Sequence, residues 1–403
     1  MKNIRKQICL ILSLIMLLNP MIMPIHAEST AFYQSDHTTD AIHDDVETPD
    51  GAPTLECKSA ILMEAKTGTI LYTKNAHEAL PPASVTKIMT LLLIMEAVDT
   101  GRLSLGDTVT ASANAASMGG SQVYLKEGEQ MTLEDMLKSV VIASANDAAV
   151  ALAEHLCGSV ESFVTKMNQR AEQLGMTETR FENVTGLDDT AQSHLTSAHD
   201  IALMSRELIK HSTVLKYSSI WMDTIRNGEF GLTNTNRLVR FYNGCTGLKT
   251  GSTQKAGFCV SATAERDGMS LICVIMGAET RDIRNANATA LLDWGFANYS
   301  LYTAKAKELE PVYVVGGSLP YCNVISSEFV CVLPKGDLSR VTCSADLPEK
   351  LQAPVSRGDT VGKIIFSVEG REIGSCDILS LDTVSKITFF EILKRSAIKF
   401  LLI

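Results

Sequence analysis

The sequence predicts a mixed α+β domain, followed by a small all-β domain and a C-terminal amphipathic helix. Three observations carry this. Strand-like runs at residues 59–72 and 256–276 bracket a long stretch of mainly helical pattern. From Tyr302 to Thr383 short β-runs broken by Gly and Pro turns take over. The last residues set apolar and basic side chains on opposite faces of one helix.

At 403 residues, 45% hydrophobic and 20% charged, the chain is long enough for two domains and is not of low complexity. Its net charge of −10 argues against nucleic acid as a partner. Lys2, Arg5 and Lys6 precede an apolar run at 8–18, and Ile25-His26-Ala27 is an imperfect small-residue cleavage site, so residues 1–27 read as a secretory signal. That run is short of the ~20 residues needed to span a bilayer. Residues 28–54, acidic and without Lys or Arg, are expected to be a solvated spacer.

The main domain is expected over residues 55–300. Residues 59–64 and 69–72 flank Ala65-Lys66-Thr67-Gly68 as a β-hairpin. Pro81 and Pro82 stop any earlier helix, and the run from Ser84 to Met95 holds one charge, Lys87, so it reads as a helix buried all round. Residues 111–120 are expected to be a loop of small residues. Residues 132–143 carry a helical period, with Leu133, Met136, Leu137, Val140 and Val141 on one side, and deliver Ser144-Ala145-Asn146 to the start of a second helix at 147–156. A further helix is read at 160–174, then a polar stretch holding His194, Thr196, His199 and Asp200. Strands are expected at 237–242, 256–264 and 269–276, and a helix at 283–296. Residues 301–383 form the β-rich domain. Residues 384–403 form the terminal helix, suited to lying in a membrane interface or to docking on its own domain.

Removing Cys9 with the signal leaves nine cysteines, an odd number with no Cys-x-x-Cys pair, so most read as small buried hydrophobes and not as a disulfide framework. The eight histidines show no metal-ligand spacing, and no metal is expected.

Chemistry enters with Ser84-x-x-Lys87. At i and i+3 the hydroxyl and the amine share one helical face. A lysine in so apolar a place is desolvated, its pKa falls, and the neutral amine can take the serine proton. Two more triplets follow in order, Ser144-Ala145-Asn146 and Lys249-Thr250-Gly251. Each is weak alone, because Lys66-Thr67-Gly68 and Ser112-Ala113-Asn114 repeat two of them. The first of these lies in a hairpin turn and the second in a loop.

The ordered set resembles the low-molecular-mass penicillin-binding proteins, the serine-type D-alanyl-D-alanine carboxypeptidases. Further blocks carry the likeness: Ser144 to Ala149, Gly247 to Thr253 with Ala256-Gly257-Phe258, Leu291 to Phe296, and Ala353-Pro354-Val355 with Gly358 to Gly362. It extends from about Leu55 to the C-terminus. It implies a β-lactamase/transpeptidase-like catalytic domain, a β-domain holding it off the membrane, and an amphipathic anchor on the outer face of the cytoplasmic membrane. The implied substrate is a peptidoglycan stem peptide ending in two D-alanines, with β-lactams as covalent inhibitors and no cofactor.

By the same resemblance, Ser84 is the nucleophile and Lys87 its base. Lys249 keeps Lys87 neutral and attracts the substrate carboxylate, Ser144 passes a proton to the leaving amine, and Asn146 binds the peptide amide. Thr250 holds the terminal carboxylate beside Gly251, the Ser84 and Ser252 N–H groups form the oxyanion hole, and Arg284 orients the carboxylate or makes a surface salt bridge. His194, Glu64 and Asp147 are expected to be structural. Two rivals are a serine β-lactamase and a catalytically idle wall-binding protein. No Glu between Asn146 and Lys249 is followed by Asn at i+4, the pair by which a class A β-lactamase holds its water.

Overall fold

The computed structural model describes residues 51–188 and 192–401; the signal and nearly all of the spacer lie outside them. Strands β1 (Ser59–Glu64) and β2 (Ile70–Lys74) form the expected hairpin. Its turn is tied by the Glu64 carboxylate, which accepts from the Lys66 and Thr67 amides and the Thr67 hydroxyl. Glu64 is thus structural, and Lys66 pairs with Glu328 of the β-rich domain, away from any cleft.

Helix α1 (Lys87–Asp99) is entered through a 3-10 turn, Ala83–Thr86, and its residues from Lys87 to Met95 are all buried. The sequence placed Ser84 on the helix itself; it lies one turn earlier. Three helices follow. The first, α2 (Leu133–Ile142), is capped by the Thr132 hydroxyl accepting from the Asp135 amide; α3 (Asn146–Cys157) and α4 (Val160–Gln173) come next.

Helix α5 (Ala198–Leu208) lies where only a polar stretch was read. Its signal was present, since Ser197 caps the Asp200 amide and Ile201, Ala202, Met204 and Leu208 form a buried stripe, but the flanking polar residues masked it. A second correction concerns residues 237–242, expected as a strand. Leu238–Phe241 is one helical turn, begun where Asn236 Oδ1 accepts from the Leu238 amide. A third concerns Ser112, which caps the short helix Ala113–Ala116 and bonds Glu154, so that triplet is a capping device.

Strands β3 (Cys245–Thr253), β4 (Gly257–Arg266) and β5 (Met269–Ala278) complete one antiparallel sheet of order β2-β1-β5-β4-β3, joining the two ends of the domain as expected. Helix α6 (Arg281–Asn298) covers its far face. The period-2 alternation divides the core. Ile61, Met63, Ile272, Val274 and Met276 pack with the helices that carry the site, while Leu62, Leu271, Cys273 and Ile275 pack with Leu291, Leu292 and Trp294 of α6.

The β-rich domain begins with β6 (Tyr299–Ala304), paired with Phe329–Pro334, and its largest sheet is built on the hairpin of Thr360–Val368 with Arg371–Ser380. Backbone pairing continues to Val384, opposite Val355, and to Ile387, whose amide donates to Gly316. Helix α7 (Phe389–Leu401) then leaves Phe389, Phe390, Leu393 and Phe400 exposed. All nine cysteines among the described residues are free thiols.

Candidate active site

The entry to α1 is shaped by left-handed backbone at Ala83, φ 48°, just before Ser84. Such a conformation in a residue with a Cβ costs roughly 1–3 kcal/mol and persists only where neighbours over-determine it. Here they do. The Val85 amide donates to Pro82, and the Thr86 hydroxyl donates to the Ala83 carbonyl. Gly186 presses against that same carbonyl, where a Cβ would sit 1.8 Å away. His194 completes the brace: its Nδ1 accepts from the Glu182 amide, so its protonated Nε2 donates to the Thr86 hydroxyl at 2.7 Å. Burial pushes His194 down to about 4, which keeps it neutral, and its part is structural as expected.

Lys87 is fully buried, with Nζ 2.9 Å from Ser84 Oγ and donating to the Thr185 carbonyl at 2.9 Å. Burial, reinforced by the charge of Lys249, holds its pKa well below the usual lysine range, while Asp147 opposes the shift. The Asp147 carboxylate itself accepts from the Val123 and Leu125 amides, pinning the loop before α2 to α3.

Across the cleft Lys249 Nζ donates to Ser144 Oγ at 2.7 Å and to the Thr250 carbonyl at 2.8 Å. Burial, and then the Arg284 guanidinium, bring Lys249 to about 7. Ser144 also has left-handed backbone, φ 62°, on the turn between α2 and α3. Asn146 donates its side-chain amide to the Gly119 carbonyl at 2.7 Å, while its buried Oδ1 has no partner among the described residues. Thr250 Oγ1 donates to Thr235 Oγ1.

Gly251 explains how the parts meet. A Cβ there would stand 2.7 Å from the Ser84 amide nitrogen and 2.9 Å from that of Val85, so only glycine lets β3 run alongside the nucleophile turn. The neighbouring Ser252 lines the same cleft as Ser84, Ser144 and Thr250.

That cleft encloses about 660 Å³. Arg237, Arg240, Arg281 and Arg284 line it with Trp221 and Phe241, and no carboxylate is among the lining residues. Arg284 is buried, bonds Asn285 Oδ1 and the Cys259 carbonyl, and is lowered to about 10 by burial and by Arg281. It makes no salt bridge among the described residues. Trp221, Thr235, Arg237, Arg240, Phe241 and the Thr185 carbonyl were missed by the sequence reading. Only Thr185 left a local signal, an Asn183-x-Thr-Gly turn in which Asn183 Oδ1 accepts from the Thr185 and Gly186 amides.

A serine hydroxyl against a desolvated amine, with a second serine–lysine pair and a cationic cleft beside it, can form and break an ester at Ser84 on an anionic substrate. Comparison with known proteins agrees. The model of the D-alanyl-D-alanine carboxypeptidase peptidases matches residues 46–280, and that of the penicillin-binding protein 5 C-terminal domain matches residues 298–386. The chain is 40% identical to D-alanyl-D-alanine carboxypeptidase DacF of Bacillus subtilis, over 85% of this chain and 89% of that one. The chain belongs to the serine-type D-alanyl-D-alanine carboxypeptidase family. Its fold is similar to penicillin-binding protein 5 of Haemophilus influenzae, with TM-score 0.74 and 30% identity over 83% of this chain and 99% of that one. It is also similar to the ampicillin-bound penicillin-binding protein D2 of Listeria monocytogenes, with TM-score 0.56 and 33% identity over 60% of this chain and 100% of that one.

Proposed function

We propose that the protein removes the terminal D-alanine from peptidoglycan stem peptides through an acyl-enzyme on Ser84. The observation that carries this is the 2.9 Å approach of a fully buried, deprotonation-prone Lys87 to Ser84 Oγ. Lys87 takes the hydroxyl proton as Ser84 Oγ attacks the carbonyl carbon between the two D-alanines. The Ser84 and Ser252 amides receive the oxyanion, each such donor being worth ~3 kcal/mol to the transition state. Ser144, supplied by Lys249, passes a proton to the departing D-alanine nitrogen as the C–N bond breaks. Lys87 gives up the proton it took and Lys249 regains one from solvent; water then cleaves the ester with Lys87 again the base, and that proton passes on to Ser84 Oγ as it leaves, so Ser84 is regenerated.

The binding roles follow from unmet bonding capacity. One Asn146 N–H is held by Gly119, so its unpartnered Oδ1 is left to accept a substrate N–H. Thr250, Lys249 and Arg284 take the terminal carboxylate, and Gly251 lets the strand that carries Thr250 and Lys249 lie against the Ser84 turn. β-Lactams react at the same serine, but their leaving nitrogen stays tethered to the acyl group. Among the described residues lining the cleft there is no carboxylate to activate water, which weighs against a β-lactamase.

For location, we read the protein as exported, with α7 lying on the outer face of the cytoplasmic membrane. Its exposed phenylalanines, with Lys394 on the same helix, support that reading, while Arg395 donates to the Ser318 carbonyl of the β-rich domain. No helix among the described residues is long and apolar enough to cross a membrane.

The test is mass spectrometry after exposure to diacetyl-Lys-D-Ala-D-Ala and, separately, to penicillin. Release of D-alanine with a lasting penicilloyl adduct on Ser84, both lost in Ser84→Ala, is the expected result. Rapid penicillin hydrolysis without D-alanine release would mean a β-lactamase, and neither event an idle binding protein.

A further inference from the structure

Behind the nucleophile turn three side chains from distant parts of the sequence converge. His77 follows β2, Glu178 follows α4, and His199 lies in the first turn of α5. Each offers one ligand atom, and the three atoms lie within 4.8 Å of one another. No sequence spacing links them, which is why the histidines had given no sign of a metal site.

The geometry points to a surface site for one borderline divalent transition ion, of which Zn²⁺ is the reference case, held by His77, Glu178 and His199. Two imidazoles and one carboxylate suit such an ion; calcium and magnesium prefer all-oxygen sets. In a tetrahedral site the fourth position would be left to water.

The backbone already holds the three donors in place. The His199 amide donates to the Ala76 carbonyl at 3.0 Å, and Leu80 and Thr196 exchange both of their backbone bonds. The Glu178 amide donates to Asp200 Oδ2 at 3.0 Å. Asp200, fully buried, also stands 3.3 Å from His199 Nδ1 through Oδ1. That is the outer carboxylate which orients a ligating imidazole and leaves its other nitrogen for the metal. The His77 and His199 rings are neighbours, centroids 4.5 Å apart and tilted 31° to each other, with His77 Nδ1 3.3 Å from Glu178 Oε2. Zinc ligands stand ~2 Å from the ion, so closure asks for about 1 Å of movement. The exposed His77 side chain can supply it.

A bound ion would staple the segment leading to Pro82 and Ser84 onto the start of α5. It takes no part in the acyl transfer proposed above, and its test is independent of that reading.

The full chain, stripped with chelator, is titrated calorimetrically with zinc chloride beside His77→Ala, His199→Ala and the control His211→Ala. The expected result is one site present in the parent and in His211→Ala, weakened at least tenfold in the other two. Cobalt(II) should give visible d–d absorption that His77→Ala loses. Zinc should raise the melting temperature of the parent but not of His77→Ala, whose penicillin labelling shows that it is folded. Zinc uptake indifferent to both His77→Ala and His199→Ala, or no uptake by the parent at micromolar zinc, overturns the site.

Discussion

Gly251→Ala tests how closely β3 must approach the nucleophile turn. The added Cβ would lie 2.7 Å from the Ser84 nitrogen, 2.9 Å from the Val85 nitrogen and 3.0 Å from the Pro82 oxygen. All three are backbone atoms, so no side-chain rotation relieves the contact. Restoring an ordinary separation of 3.4 Å requires strand and turn to part by about 0.4–0.7 Å. A displacement approaching 1 Å between a nucleophile and its donors costs on the order of 10²-fold in rate, or about 2.7 kcal/mol of barrier. Overpacking adds a stability cost of ~1–3 kcal/mol, smaller if the strand yields. Stopped-flow acylation with a fluorescent penicillin, normalised to folded protein by thermal melt, separates the two. An acylation rate within threefold of the parent would refute the claim that this glycine sets the spacing of the site.

Three other outcomes are expected. Lys249 titrates at about 7, so as pH rises through that value it loses its charge and KM for a carboxylate-bearing substrate should rise. Arg284→Ala removes a repelling cation and should move that midpoint upward; a KM–pH profile with an unmoved midpoint rejects the coupling. His194 has its folded pKa lowered from 6.5 to about 4, so its contribution to stability is full above 6.5 and is lost as pH falls toward 4. The loss is about 3 kcal/mol, and melts across this window should be flatter for His194→Asn; equal slopes would exclude His194 as the source. Deleting residues 389–403, beyond the last pairing of the β-rich domain, should abolish co-sedimentation with anionic vesicles while leaving D-alanine release intact, and unchanged sedimentation would point to a docked helix.

Much of this architecture is carried by local pattern. The buried run after Ser84, the continuous apolar strand at 269–276 and the helix starting at Leu133 each depend on residues a few positions apart, and each folded as its local pattern predicts. The failures have an equally local cause. Residues 237–242 have strand-like composition, but Asn236 and Asn234 divert the backbone into a turn through side-chain bonds that composition does not reveal. At α5 a capping serine and a buried stripe were present among residues whose polarity outweighed them.

By itself, then, the sequence determined the sheet-and-helix framework, the β-rich domain, the family and the order of the three triplets. Only the tertiary structure decided that Ser144 belongs to Lys249, 105 residues away, and that Lys87 is held by a carbonyl 98 residues on. It also decided that Arg284 is buried in the cleft wall, that Asn146 keeps one acceptor without a partner among the described residues, and that His77, Glu178 and His199 meet. The physical reason is range. Periodicity acts between neighbours in the chain, whereas desolvation, Coulomb interaction and ligand geometry depend on distance through space, which no local pattern encodes.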